Sequence, residues 1–264
     1  MMDLLSAIPW MDLAPFIVIG FLAQLVDSAL GMAFGLLSNA MLVLFGIPPA
    51  WAGATTRSVE SFTSGVSGIA HVLQRNVDWP LFARLVVPGI IGAIAGVWLS
   101  VLIRSEVFRP VLLVYLLAIG AYLLWRAPRR PQTFRRTRMI GPLGLFGGFF
   151  DASGGGGWGP LVTGNLLAQG MTPRMAIGTA NAAEFFVTVT ALAAFIGMLG
   201  PGAFTAAASG LLIGGAVGAP LGAWLTRRLA PTLLLQLVGG ALIAIGILGF
   251  ASLMFAPIPS FPRI

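Results

Sequence analysis

Cysteine and lysine are absent from this 264-residue chain, histidine occurs once, and aspartate and glutamate together number only 8. Without cysteine there is no disulfide, iron–sulfur cluster or thiolate metal site. With His71 alone, a multi-histidine metal centre is excluded too, and no cofactor is expected. Charged residues make up 9% of the chain, against roughly 25% in soluble domains. With 58% hydrophobic residues and a mean hydropathy of +0.95, this composition predicts an integral membrane protein. Apolar runs approach the ~20 residues of a spanning helix rather than the ~10 of a barrel strand, so the expected class is all-α and polytopic. A net charge of +7 would suggest nucleic acid in a soluble protein. Here arginines crowd one loop, residues 126–138, which predicts membrane orientation and no nucleic-acid partner. The first residues carry Asp3 and Asp12 and no basic group, unlike a signal peptide, so no cleavage is expected.

What the chain does have is a doubled pattern. Five apolar segments, Ala14–Val26, Leu30–Phe45, Ala54–Gln74, Leu81–Ile103 and Phe108–Trp125, precede the basic loop. Five more follow it: Met139–Phe150, Trp158–Gln169, Ala176–Leu199, Ala203–Thr226 and Pro231–Phe255. A constant shift of 124 pairs Gly20 with Gly144, Asp27 with Asp151, Gly31 with Gly155, Thr55 with Thr179 and Glu60 with Glu184. A shift of 126 pairs Gly92 with Gly218, Gly96 with Gly222 and Trp98 with Trp224. Matched acids at a fixed offset mark an internal repeat, as in many secondary transporters. Residues 1–125 are therefore expected to form a first transmembrane repeat, 126–138 a basic cytoplasmic linker and 139–264 a second repeat. The expected total is about 8–10 hydrophobic helical segments, some short or broken.

The first two segments hold about 13 and 16 residues, short of the ~20 that span a bilayer. Short tilted spans and a re-entrant hairpin both return the chain to its starting side. Each half then crosses an odd number of times, and the halves are inverted. Arginine placement agrees: with the basic loop in the cytoplasm, Arg75, Arg174, Arg227 and Arg228 fall inside as well.

Four of the acids, Asp27, Asp151, Glu60 and Glu184, lie inside apolar segments. A charge at membrane depth costs at least ~2.5 kcal/mol, so such groups face a bundle interior or a cavity, as coupling groups or as caps of broken helices. In the third segment Arg57, Glu60, Ser64, Ser67 and His71 recur at helical spacing, laying a polar stripe along one face. Arg57 is read either as a charge balanced by Glu60 or as the cation for an anionic substrate, because guanidinium presents a planar fork to oxyanions. His71 could relay a proton. Between Asp151 and Pro160 lies the run Gly154, Gly155, Gly156 and Gly157, where unwound backbone can approach a ligand ahead of a new helix start at Trp158.

The stretch Asp151 to Pro160, the element Gly170, Met171, Thr172, Pro173, and the run Ala176 to Asn181 together resemble the repeated motif of the TauE/SafE sulfite exporter family, also called TSUP. Asn76 to Trp79 is similar to a short signature of the same family. The resemblance covers about residues 14–256 and departs from the motif in Ala180, inserted before Asn181. In the first half Thr55, Thr56 and Arg57 stand in place of its Gly-Thr-Asn element. It implies a multi-pass permease of the bacterial cytoplasmic (inner) membrane for sulfite, sulfonates or related small anions. It also implies substrate contacts at Gly154 to Gly157, Thr179 and Asn181, to which the polar residues add Arg57 and Thr55. Expected partners are a small anion, the bilayer and, as a coupling ion, the proton. The alternatives are a proton- or cation-linked permease for another solute and an anion channel. An enzyme is not expected, since no Ser/His/Asp set or metal-ligand cluster is present.

Overall fold

The computed structural model describes residues 10–30, 34–103, 105–127, 139–154, 156–169, 171–200, 206–226 and 231–255. Among these, the chain forms helices α1 (Trp10–Leu30), α2 (Phe34–Leu44), α3 (Pro49–Leu73), α4 (Trp79–Leu102) and α5 (Ser105–Arg126). A second series follows: α6 (Ile140–Gly154), a π-helical turn (Trp158–Thr163) running into α7 (Gly164–Ala168), then α8 (Pro173–Leu199), α9 (Ala206–Thr226) and α10 (Pro231–Phe255). Helix α4 and residues Met175–Leu199 of α8 are long and apolar enough to cross a membrane by length and composition.

The boundaries correct one expectation. The first segment is not a short piece of about 13 residues but a helix of 21, long enough at ~1.5 Å per residue to cover ~31 Å. Its second-half counterpart has 15 residues. Both helices run past their acid, because Asp27 and Asp151 turn their carboxylates forward onto the next helix instead of ending their own. Both α3 and α8 begin on a proline, Pro49 and Pro173, where the missing N–H costs nothing.

Packing interleaves the two halves. Gly20 of α1 lies against the backbone of Leu211 in α9, and its repeat mate Gly144 of α6 lies against Leu85 in α4. Gly214 also meets Ile17 and Gly218 meets Phe21, while Gly92 meets Leu145 and Gly96 meets Phe149. From Ile17–Gly214 to Phe21–Gly218, and from Gly92–Leu145 to Gly96–Phe149, residue numbers rise together, so α1 runs parallel to α9 and α4 parallel to α6. Bare glycine backbone at these crossings lets the helices approach closely, and dispersion and close packing hold such contacts where no water drives association.

The third and fifth helices behave differently. Gly53, Gly65 and Gly68 of α3 pack against Phe195, Phe185 and Ala182 of α8 in that order, so numbers rise on one helix as they fall on the other. The same reversal holds between α5 and α10, where Leu113 meets Gly249, Leu117 meets Gly246 and Leu124 meets Gly239. Equivalent helices thus pair with each other antiparallel, and the first and fourth helices exchange partners between halves. One buried apolar core joins α1, α2 and α5 with α9 and α10. The other joins α3 and α4 with α6, the π turn and α8.

Candidate functional site

The two chain breaks are built alike. In the first half Asp27 Oδ1 accepts from the backbone N–H of Phe34 at 3.1 Å. In the second, Asp151 Oδ1 accepts from Gly157 at 3.0 Å and from Trp158 at 3.1 Å. Phe34 and Trp158 are themselves repeat mates, so each aspartate caps the short helix that follows its own. A carboxylate at a helix start satisfies orphan amides and faces the positive end of the dipole. The breaks also touch one another: Gly156 lies directly against the backbone of Gly35 and Leu36 at the start of α2.

Arg57 joins the first half to the second break. Fully buried in α3, it places Nη1 2.9 Å from Asp151 Oδ2, an ion pair without hydrogen-bond alignment. Its Nη2 donates to the Asp151 carbonyl at 2.7 Å, and Glu60, one turn on, takes a short contact from Nη1. Only Nε is left buried without an acceptor. Glu184 interacts electrostatically with Glu60, Asp151, Asp27 and Arg57, and makes no hydrogen bond among the described residues. Four carboxylates and one guanidinium therefore share this region.

Two aromatic residues, neither of them among the sequence-derived site residues, hold the break in shape. Trp158, fully buried, donates Nε1–H to the Ala180 carbonyl of α8 at 3.0 Å. Tyr115 of α5 stacks on Phe150 with ring centroids 5.3 Å apart. Its hydroxyl donates to the Gly156 carbonyl at 3.2 Å. Tyr115 is one of only 2 tyrosines in the chain, and that scarcity is the signal that could have marked it.

The sequence-derived residues do not all meet here. Gly154 is the last residue of α6, Gly156 and Gly157 form the non-helical link, and Gly155 lies outside the described residues. Thr55 is buried in α3 two residues before Arg57. Asn181 donates to Ser67 Oγ at 2.9 Å across the α3–α8 contact. Thr179 Oγ1 accepts from the Asp78 backbone N–H at 2.9 Å, while the Asp78 side chain caps α4 by accepting from Leu81 at 3.1 Å. His71 sits at the far end of α3, its Nδ1 3.4 Å from Asn76 Nδ2. From Arg57 it is fourteen residues along one helix, or ~21 Å.

Thr179 thus spends its hydroxyl on the α3–α4 loop. Thr179→Val should cost about 1 kcal/mol by leaving the part-buried Asp78 N–H without its acceptor. It should lower the thermal midpoint of the detergent-solubilised protein and leave the KM of any transported solute within about twofold. A large KM rise with unchanged melting would instead make Thr179 a ligand.

A family model described as Sulfite exporter TauE/SafE matches residues 16–248. A protein of Bacillus subtilis (strain 168) named "Probable membrane transporter protein YtnM" is 38% identical over 240 residues, covering 87% of this chain and 80% of that protein. No solved structure matches.

Proposed function

Because this chain belongs to the sulfite exporter TauE/SafE family and is a membrane transporter, we propose that it carries small anions, sulfite and organic sulfonates foremost, across the bacterial cytoplasmic membrane. The observation that carries this reading is the buried Arg57 guanidinium held against the glycine-rich break at Asp151. Guanidinium and unwound amides side by side are donors suited to an oxyanion. The Gly154 to Gly157 backbone and Arg57 contact the anion. Thr55 stands two residues before Arg57 on the same helix, Thr179 and Asn181 tie α8 to the α3–α4 loop and to Ser67 farther along α3, and Asp27, Asp151, Glu60 and Glu184 shape the breaks or carry the coupling charge. His71 stands outside this group.

The architecture we infer is a multi-pass pair of inverted repeats joined by a cytoplasmic arginine-rich loop. Antiparallel packing of α3 on α8 and of α5 on α10 supports it, because two equivalent helices in contact run antiparallel when their two-fold axis lies across them. A second reading, a proton- or cation-linked permease for another solute, draws on the excess of carboxylates over guanidinium in the same region.

The test is flux in proteoliposomes. Protein-containing vesicles should take up labelled sulfite or a sulfonate saturably and show counterflow, whereas protein-free vesicles should not. Saturable uptake of a cation with no anion moved would sink the anion reading in favour of the second. Flux that never saturates and shows no counterflow would make the protein a channel.

A further inference from the structure

The donors that should attract an anion are already occupied by the protein's own carboxylates. Asp151 Oδ1 takes the Gly157 and Trp158 amides, Oδ2 faces Arg57 Nη1, and Glu60 holds the same nitrogen. Among the described residues at this break, an incoming anion meets no free positive charge except through the one unpartnered donor of Arg57, its Nε. We propose that Asp151 is an internal stand-in for the substrate, and that the anion enters by displacing its carboxylate as that carboxylate takes up one proton. The inference rests on the anion-transport reading and adds its stoichiometry: one proton moves with each monoanion in the same direction, and the cycle is electroneutral.

The physical reason is charge conservation in a medium of low dielectric. Around Asp151 stand Arg57 and Glu60 from α3, Glu184 from α8 and the Tyr115 hydroxyl from α5, with Asp27 of α1 facing the two glutamates. Helix α4 carries only Arg84, which is exposed. Among the described residues here, one guanidinium among four carboxylates leaves no cation to balance a further negative charge, and an uncompensated buried charge is strongly unfavourable. Adding the anion and a proton together keeps the local charge as it was. The neutral carboxyl can still accept from the two amides through its carbonyl oxygen while Arg57 turns its Nε and Nη edge to the substrate as a bidentate fork. Asp27 caps its break in the same way, with Gln24 of its own helix donating to its other oxygen at 3.5 Å, while Asn181, the mate of Arg57, bonds Ser67. The proton-linked exchange therefore belongs to the second break.

The experiment uses full-length protein in vesicles loaded with a pH-sensitive dye, with isethionate as probe. Its sulfonate is fully ionised at neutral pH, so any proton that accompanies it is carried by the protein. Isethionate added outside should acidify the lumen at a proton-to-anion ratio near one. A potassium diffusion potential should leave the rate unchanged. In Asp151→Asn, which keeps the oxygen that accepts from Gly157 and Trp158, the ratio should fall toward zero and the flux should become sensitive to potential. Isethionate flux in the unaltered protein without lumen acidification, or with strong potential dependence, overturns the inference and leaves anion transport standing. An Asp151→Asn variant that is slower but still moves one proton per anion overturns it as well, since that is what a merely structural cap would do. If sulfite, isethionate and a simple carboxylate all fail to move in protein that remains monodisperse and thermally intact, the transport reading fails and this inference with it.

Discussion

Arg57→Ala is expected to abolish the proposed anion flux and to lower stability by about 3–5 kcal/mol, the typical cost of removing one partner from a buried ion pair. The magnitude follows from burial. Arg57 has no exposed surface, and its loss strips Glu60 and Asp151 of their counter-charge and the Asp151 carbonyl of a 2.7 Å donor. Arg57→Lys keeps the charge but not the fork. An ammonium is a compact point charge and cannot reach Glu60, the Asp151 carboxylate and its carbonyl in the same planar arrangement. It should recover most of the stability and little of the flux. Thermal unfolding by tryptophan fluorescence beside a vesicle uptake assay separates the two. Full flux in Arg57→Ala would remove the residue from the mechanism.

Gly156→Ala is expected to cut flux at least tenfold. A methyl at this position would run into the backbone of Gly35 and Leu36. Neither backbone can step aside by a rotamer change, so the two breaks must separate, at a cost of about 3 kcal/mol. Separation pulls the Gly156 carbonyl from the Tyr115 hydroxyl and shifts the Gly157 and Trp158 amides that face Asp151. Gly197→Ala provides the comparison, because a methyl there meets no atom within 4 Å and alanine is the better helix former. It should transport normally and melt no lower. Equal flux from both variants would show that contact between the breaks has no bearing on transport.

Much of this was legible in the chain because it is carried by covalent pattern. The repeat is readable since glycines and acids keep a fixed offset, and the contacts give the reason: Gly20 with Leu211 and Gly144 with Leu85 are the same crossing made twice. The pairing of Arg57 with Glu60 follows from their spacing of three on one helix. The length of α1 was not legible, because an acid inside an apolar run reads as an end, whereas Asp27 faces the amide of Phe34 seven residues on. Thr179 read as part of a binding motif, yet its oxygen serves the loop before α4. His71 shares its stripe with Arg57, but a face of a 25-residue helix extends well beyond any one site.

What the sequence by itself determined was the apolar all-helical class, the doubling of the chain and the identity of its buried charges, since composition and period suffice for these. Which charges meet was decided only by the tertiary structure. Arg57 and Asp151 lie 94 residues apart in sequence, and nothing local records that α3 packs where α6 breaks. The exchange of helix partners between halves brings them together, because α1, α3, α4 and α5 each make their close glycine contacts with a helix of the other half.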